Sequence, residues 1–456
     1  VPSAIGLPLV GGNDILGGAG SWNGTLLGVL VRWVPIALPA NSTLSIAMNG
    51  DFSSNFNLIT TTWTSGLVGA VVGFNGAYST SPTFGVDVHQ PGAVGKVHTS
   101  YVRLVSGSNI QHWFDGEQVG LSGATAGTSL GSASNLAINR RVSADSLPYG
   151  SMGFVEIRAT TAALTDAQIR AACLAPVGTA LPSGEVNAIV ASDYNGTTIP
   201  PRVGGGTYTV TGGPTLTTYP IAPKGLGTVE AMGDSIAAGR NNSALLGAGW
   251  RREVARIVNG TRHMTFNGQF QPTDPATVLD FSPSHTAVGG EGLGATPGAG
   301  VTRLSSVATD RGITIGPDGV TILAYGTNDI VRRVNELAQS PATCVTNMVT
   351  DWASEISGLR VARNGPIVIC SVLRVATGSS TANQRSAIDL WNSGLAANVA
   401  SWNGTYGKVY LCDYTQDATP TQGDADNAAV LYDGTHPTPA TYTTMANRIA
   451  SVLVSL

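Results

Sequence analysis

The texture of this chain changes partway along, and that change limits what it can fold into. Up to about Cys173 the apolar residues fall in short runs separated by Gly, Asn and Ser, for example at 25–33, 43–48, 56–63, 68–74 and 97–105. Several of these runs alternate apolar with polar residues, the period of a half-buried antiparallel strand; such strands in succession without helices predict a β-sandwich. From Thr228 the period switches. Strand-length runs at 228–232, 264–270, 320–325, 367–373 and 409–414 alternate with helical ones at 245–258, 301–309, 343–361, 383–399 and 440–453. That alternation predicts a parallel sheet with helices on both faces, and it places ligand sites beyond the carboxyl ends of the strands.

At 456 residues the chain exceeds one core of ordinary size, so two or three domains are expected. The change of period draws them as an all-β sandwich over 1–175, a Gly/Pro-rich linker or small β subdomain over 176–227, and a three-layer α/β domain over 228–456. In the middle stretch Pro200-Pro201, Gly204-Gly205-Gly206 and Gly212-Gly213-Pro214 break the chain repeatedly. Within the first segment, Asp115-Gly116 supplies the positive φ of a tight hairpin turn. Thr165-Asp166-Ala167-Gln168 reads as a capping box that opens a short helix.

Only 11% of residues are charged, while 58 are Gly. That balance suits a loop-rich extracellular protein, secreted or virion-associated, better than a helical cytosolic one. With 24 basic and 28 acidic residues and no basic run, no nucleic-acid partner is expected. No apolar stretch reaches the roughly 18–20 residues that span a bilayer. The start, Val1-Pro2-Ser3, reads as a processed or trimmed end with no visible signal peptide. Oligomeric state is left open.

The four cysteines are far apart and form no C-x-x-C pair; Cys370 and Cys412, at the ends of apolar runs, read as small buried hydrophobes. His89, His98 and His112 lack metal-ligand spacing and read as surface or strand residues, and His263 as structural. With no P-loop and no G-x-G-x-x-G after a first strand, neither cofactor nor metal is expected.

Three short motifs sit where the alternation puts a site. Gly233-Asp234-Ser235 follows the run 228–232, where a serine at a strand-to-helix turn exposes its hydroxyl and its own N–H. Gly326-Thr327-Asn328-Asp329 follows 320–325, and a side-chain amide there can donate to a developing oxyanion. Asp433-Gly434-Thr435-His436-Pro437 precedes the last helix, with a carboxylate three residues upstream of an imidazole that it can orient. Singly, the first two are ordinary turn sequences, and a lone histidine is more often structural.

Together, in that order, they resemble the SGNH (GDSL-like) hydrolases over the whole C-terminal half. The segment His285-Thr286-Ala287-Val288-Gly289-Gly290-Glu291-Gly292 is similar to that family's glycine block. The resemblance implies Ser235 as nucleophile, His436 as general base and then acid, and Asp433 as its orienter. It implies an oxyanion hole of the Ser235 N–H, the Gly290 N–H and the Asn328 side-chain amide, with Gly289 and Gly292 as neighbouring choices for the glycine. His285 would then stand near the cleft as a loop residue. In the first segment, a strand, the Asp-Gly hairpin and "GFVEIR…ALTDAQIRAAC" resemble the concanavalin A-like, laminin-G-like jelly roll found beside many carbohydrate-active enzymes. That resemblance implies a glycan-binding module.

The combined expectation is a serine esterase that removes O-acetyl groups from a polysaccharide. Two rivals stand beside it: an acyl esterase, lipase or polyester hydrolase, and a phage-tail or adhesion receptor-binding protein with accessory esterase activity.

Overall fold

The computed structural model describes residues 2–10, 13–18, 25–37, 43–49, 57–62, 68–74, 77–80, 94–105, 109–121, 136–139, 151–222, 225–240, 249–260, 262, 264–268, 286–287 and 317–456. The chain divides into two compact units, Val1–Gly227 and Thr228–Leu456.

The first unit holds two antiparallel sheets, each of eight strands among the described residues. One runs Glu117–Leu121, Asn109–Phe114, His98–Val105, Gly28–Ala37, Ser151–Thr160, Ser3–Leu9, Thr217–Pro220, with Glu185–Val190 also paired to Ser151–Thr160. The other runs Thr198–Ile199, Tyr208–Val210, Ile15–Gly17, Leu136–Ile138, Thr43–Asn49, Asn57–Thr62, Val68–Phe74, Ala77–Thr80. Val31, Trp33, Phe114 and Phe154 of the first sheet share one buried cluster with Ile15, Ile138, Ile199 and Tyr208 of the second, so the sheets bury their apolar faces in a common core. The outer face of the first sheet is covered as well. Leu30, Tyr101 and Trp113 pack with Ile169 and Cys173 of the helix Asp166–Leu174, whose Thr165–Gln168 capping box is formed as expected. The Asp115-Gly116 turn is present too, with φ of 48° and 85° at the two residues.

Residues 176–227 were expected to be a linker or a separate small subdomain, and they are neither. Glu185–Val190 pairs with Ser151–Thr160, and Thr217–Pro220 pairs with Ser3–Leu9. Tyr208–Val210 pairs with Ile15–Gly17 and carries Thr198–Ile199 beyond it. The boundary at 175 therefore moves to Gly227. The Gly and Pro clusters mark turns between short strands whose partners lie far away in sequence, and no local period reveals such pairing. His98 and His112 lie in strands and both are buried, whereas His89 is outside the described residues.

In the second unit the sheet order is Met264–Asn267, Gly227–Gly233, Val320–Ala324, Ile367–Cys370, Val409–Cys412. The last three adjacent pairs are parallel. Every residue of Gly227–Gly233, Val320–Ala324 and Ile367–Cys370 is buried, as strands covered on both faces must be. Met232, Leu323, Ile367 and Ile369 pack against the helices Pro341–Ala362 and Ala382–Tyr406. On the same face Glu230 forms a 2.6 Å ion pair with Arg363, which also donates to the Thr321 hydroxyl at 2.7 Å. The expected helix at 301–309 lies outside the described residues.

Candidate active site

Strand order locates the site before any side chain is considered. In sequence, Gly227–Gly233 comes first and Met264–Asn267 second; the chain builds to one side of the first strand and then to the other. In open α/β sheets the crevice where that reversal occurs, at the carboxyl ends of the strands, is where ligands bind. Here it lies between Gly227–Gly233 and Val320–Ala324, with Gly233 and Ala324 as register partners. Gly-Asp-Ser and Gly-Thr-Asn-Asp leave the sheet at those two aligned ends.

Gly233 fits there because a Cβ would strike the Ala324 carbonyl and the Ala237 side chain. The chain then turns sharply: Asp234 O accepts from Ala238 N at 2.9 Å, and Ser235 O accepts from Arg240 N at 3.0 Å. Ser235 stands half-buried at the head of this turn. Asp234 points inward, and one carboxylate oxygen accepts from the Ile236 N–H at 2.9 Å. Burial is the main cause that pushes the Asp234 carboxyl up to about 7; the Asp329 carboxylate adds to it and the backbone N–H of Ile236 opposes it.

His436 arrives from the other end of the domain, on a loop closed by Tyr432 N donating to His436 O at 3.0 Å. Gly434 takes a φ of 79°, and a Cβ there would collide with the Ser379 hydroxyl. One oxygen of Asp433 accepts from the N–H groups of Thr435 at 3.0 Å and His436 at 2.8 Å. The other lies 2.8 Å from His436 Nδ1, and His436 Nε2 lies 2.8 Å from Ser235 Oγ. Burial alone would raise the Asp433 carboxyl. The bonds from His436 backbone and side chain and from Thr435 outweigh it and hold the group below the usual carboxylate range. The Tyr432 ring stacks on the imidazole, 5.9 Å between centroids and 26° between planes. The helix that follows starts at Pro439, with Thr438 as its cap, one residue before the helical run expected at 440–453.

Ser235, His436 and Asp433 thus form one hydrogen-bonded chain. Asn328 is half-buried on the first turn of the helix Thr327–Val331, at the end of the neighbouring strand. Gly290 lies outside the described residues, as do Gly289, Gly292, His285 and His263. The described start of that segment runs beside the first strand: Thr286 N donates to Ala231 O at 2.9 Å. Among the described residues no group of three or more His, Cys, Asp or Glu could hold a metal, and no helix is long and apolar enough to cross a membrane. The four cysteines are buried free thiols.

Sequence reasoning did not pick out Arg251 or Tyr442, which hold the Ser235 turn from two different helices. An arginine inside a helical run such as 245–258 reads as solvated, and a tyrosine on a terminal helix reads as core; neither carries a motif.

A serine hydroxyl, an imidazole and a carboxylate joined in this order can move a proton off the serine as it attacks an electrophilic carbon. Residues 229–449 match the model of the family described as GDSL-like Lipase/Acylhydrolase. Among solved structures, the chain is similar to a family 3 carbohydrate esterase from Clostridium thermocellum, at 18% identity over 50% of this chain and 97% of that one, TM-score 0.37. It is similar to an acetylxylan esterase from Geobacillus stearothermophilus, at 13% identity over 50% and 93%, TM-score 0.36. It also resembles a member of the lipolytic protein G-D-S-L family from Veillonella parvula, at 16% identity over 50% and 99%, TM-score 0.35. No curated protein matches the chain in sequence.

Proposed function

We propose, from the premise that residues 229–449 form a GDSL-like lipase/acylhydrolase domain, that this chain is a serine esterase whose substrate is an O-acetylated polysaccharide. The observation that carries the catalytic part is the Ser235–His436–Asp433 chain, with both of its links at 2.8 Å. Ser235 Oγ attacks the ester carbonyl carbon while His436 Nε2 takes the hydroxyl proton, and Asp433 stabilises the imidazolium. The tetrahedral oxyanion is held by the Ser235 N–H, the Asn328 amide and the Gly290 N–H. Collapse expels the sugar oxygen, which leaves with the proton from His436. Water then attacks the acetyl-serine as His436 takes its proton, and His436 returns that proton to Ser235 Oγ as acetate is released.

The acetyl-polysaccharide part draws on the surroundings of the base. Asp433 is exposed over 38% of its side chain, so the triad opens to solvent. The rim beside it is polar: the Ser379 hydroxyl donates to Asp433 O at 3.0 Å, and the Thr377 hydroxyl donates to Asp426 at 2.9 Å. A rim of hydroxyls and carboxylates suits a hydroxylated polymer better than an alkyl chain. We assign the β-rich unit Val1–Gly227, as a jelly roll, to holding that polymer, and place the chain at an extracellular or virion surface where such polymers occur.

A panel of acetylated polysaccharides set against p-nitrophenyl esters of increasing chain length tests this. Acetate release from polymer, with p-nitrophenyl acetate cleaved and activity falling as the acyl chain lengthens, is expected. Rising activity on long acyl chains with no acetate released would assign a lipase or polyester hydrolase instead.

A further inference from the structure

The turn that presents Ser235, residues 234–240, is about two helical turns long, and a segment that short is marginal on its own internal hydrogen bonds. Its amide end is closed by Asp234, and its carbonyl end is held from outside. Arg251, in the helix Trp250–Asn259, donates from one guanidinium nitrogen to Ala237 O and approaches Ala238 O at 3.5 Å with another. The hydroxyl of Tyr442, in the helix Pro439–Ser455, lies 3.2 Å from Ile236 O and 3.0 Å from Arg240 O. It has one proton to share between those two carbonyls. Four carbonyls of the turn, at 236, 237, 238 and 240, therefore meet side chains from two helices. The start of the first helix also abuts the turn: a Cβ on Gly249 would come within 2.7 Å of Gly239 Cα.

Arg251 is fully buried. Burial brings its guanidinium down to about 9, with Tyr442 acting to raise it, so it stays charged at neutral pH. A buried cation against the carbonyl end of a turn, opposite a carboxyl at its amide end, matches the turn's own dipole. Hydrogen bonds of a charged donor in such a site are the strong ones.

We infer that Arg251 and Tyr442 are positioning residues for the acyl-transfer reaction: by clamping carbonyls of the 234–240 turn they fix the height and direction of the Ser235 hydroxyl against His436. The inference rests on Ser235 being the nucleophile. Its physical basis is that a serine displaced by about 1 Å from its attack geometry loses on the order of 10²-fold in rate. Loosening the clamp should therefore affect turnover and leave substrate binding alone.

The test compares the 456-residue protein with its Tyr442→Phe, Arg251→Gln and Arg251→Lys variants. The readouts are kcat and KM on p-nitrophenyl acetate, and the rate at which a soluble alkyl phosphonate labels Ser235. Tyr442→Phe removes one hydroxyl and should melt close to the wild type. Its kcat is expected to fall about five- to twentyfold with KM within about twofold, and phosphonylation to slow by the same factor. Arg251→Lys, which keeps the charge and a donor, should retain more activity than Arg251→Gln; if both fail to fold, Tyr442→Phe decides alone. A folded Tyr442→Phe protein with wild-type kcat and labelling rate, or with a change in KM only, overturns the clamp. If wild-type Ser235 is never labelled, the nucleophile assignment itself fails and the clamp falls with it. If wild-type Ser235 is labelled and Tyr442→Phe is labelled as fast, the clamp alone is lost.

Discussion

His436 Nδ1 lies 2.8 Å from a carboxylate oxygen of Asp433, three residues upstream, and 38% of the Asp433 side chain remains exposed. The bond selects the tautomer that carries its proton on Nδ1 and leaves Nε2 free to accept from Ser235. Solvent around the carboxylate screens its support of the imidazolium.

Asp433→Asn should therefore lower kcat by ~10²-fold or more, but by less than the ~10⁴ seen for a buried triad carboxylate. Because the carboxyl is held below its usual range, its charge is present throughout the neutral region and is lost only as pH falls through that lowered value. The kcat of the Asn variant relative to wild type, measured at about pH 8 where the base is unprotonated in both, is the relevant comparison, and a loss below about tenfold would mean that Asp433 does not support His436.

Asp234 behaves in the opposite sense. Its carboxyl is raised to about 7 in the folded protein, against ~3.9 in an unfolded chain. Between those values the folded state holds a proton that the unfolded state has released, so this group makes stability fall as pH rises through that window, by up to ~1.4 kcal/mol per pH unit, and levels off above it. Asp234→Asn keeps an acceptor for the Ile236 N–H and removes the titration. Its melting temperature relative to wild type should rise between pH 5 and pH 8. A difference that does not change with pH would mean that Asp234 is ionised throughout.

Asn328 separates two kinds of oxyanion hole. Most serine hydrolases use backbone amides, which substitution cannot delete, whereas here one donor is assigned to a side chain. Asn328→Ala should cost roughly 10²–10³ in kcat, about 2.7–4 kcal/mol, and leave KM nearly unchanged. A loss below about fivefold would make Asn328 an ordinary turn residue.

Where these residues lie was legible because each follows a strand end or precedes a helix. Gly233, Asp234 and Ser235 end a strand, Asn328 follows the next one, and Asp433 sits one helical turn from His436, so a strand–helix reading places all of them at one edge of a sheet. What was not legible depends on contacts with no local period. The pairing of Thr217–Pro220 with Ser3–Leu9 joins opposite ends of the first unit, which is why 176–227 looked like a linker. Tyr442 meets Ile236 across 206 residues and Arg251 reaches Ala237 through a helix boundary that the sequence placed at 245. The buried charge of Glu230 was hidden inside an apolar run, since its partner Arg363 lies far along the chain.

That last pair gives a stability prediction. Glu230 and Arg363 show side-chain exposures of 0% and 1%. Arg363→Met would leave the buried Glu230 carboxylate, which also accepts from the Thr286 hydroxyl at 2.5 Å, without its cation and should destabilise the C-terminal unit by about 3–5 kcal/mol; adding Glu230→Leu should recover most of the loss. Urea denaturation followed by the fluorescence of the buried Trp352 and Trp391 reads this, and a double variant no better than the single one would show that the pair is not what holds that face.

The claim on which all of this turns is that Ser235 is a nucleophile activated by His436. Incubating the intact protein with an alkyl phosphonate and mapping the modified peptide by mass spectrometry tests it most directly. One adduct per chain is expected, on Ser235, abolished in Ser235→Ala and strongly slowed in His436→Ala while both variants keep the wild-type fold. Ester hydrolysis that persists in Ser235→Ala, or an adduct on any other residue, would contradict it.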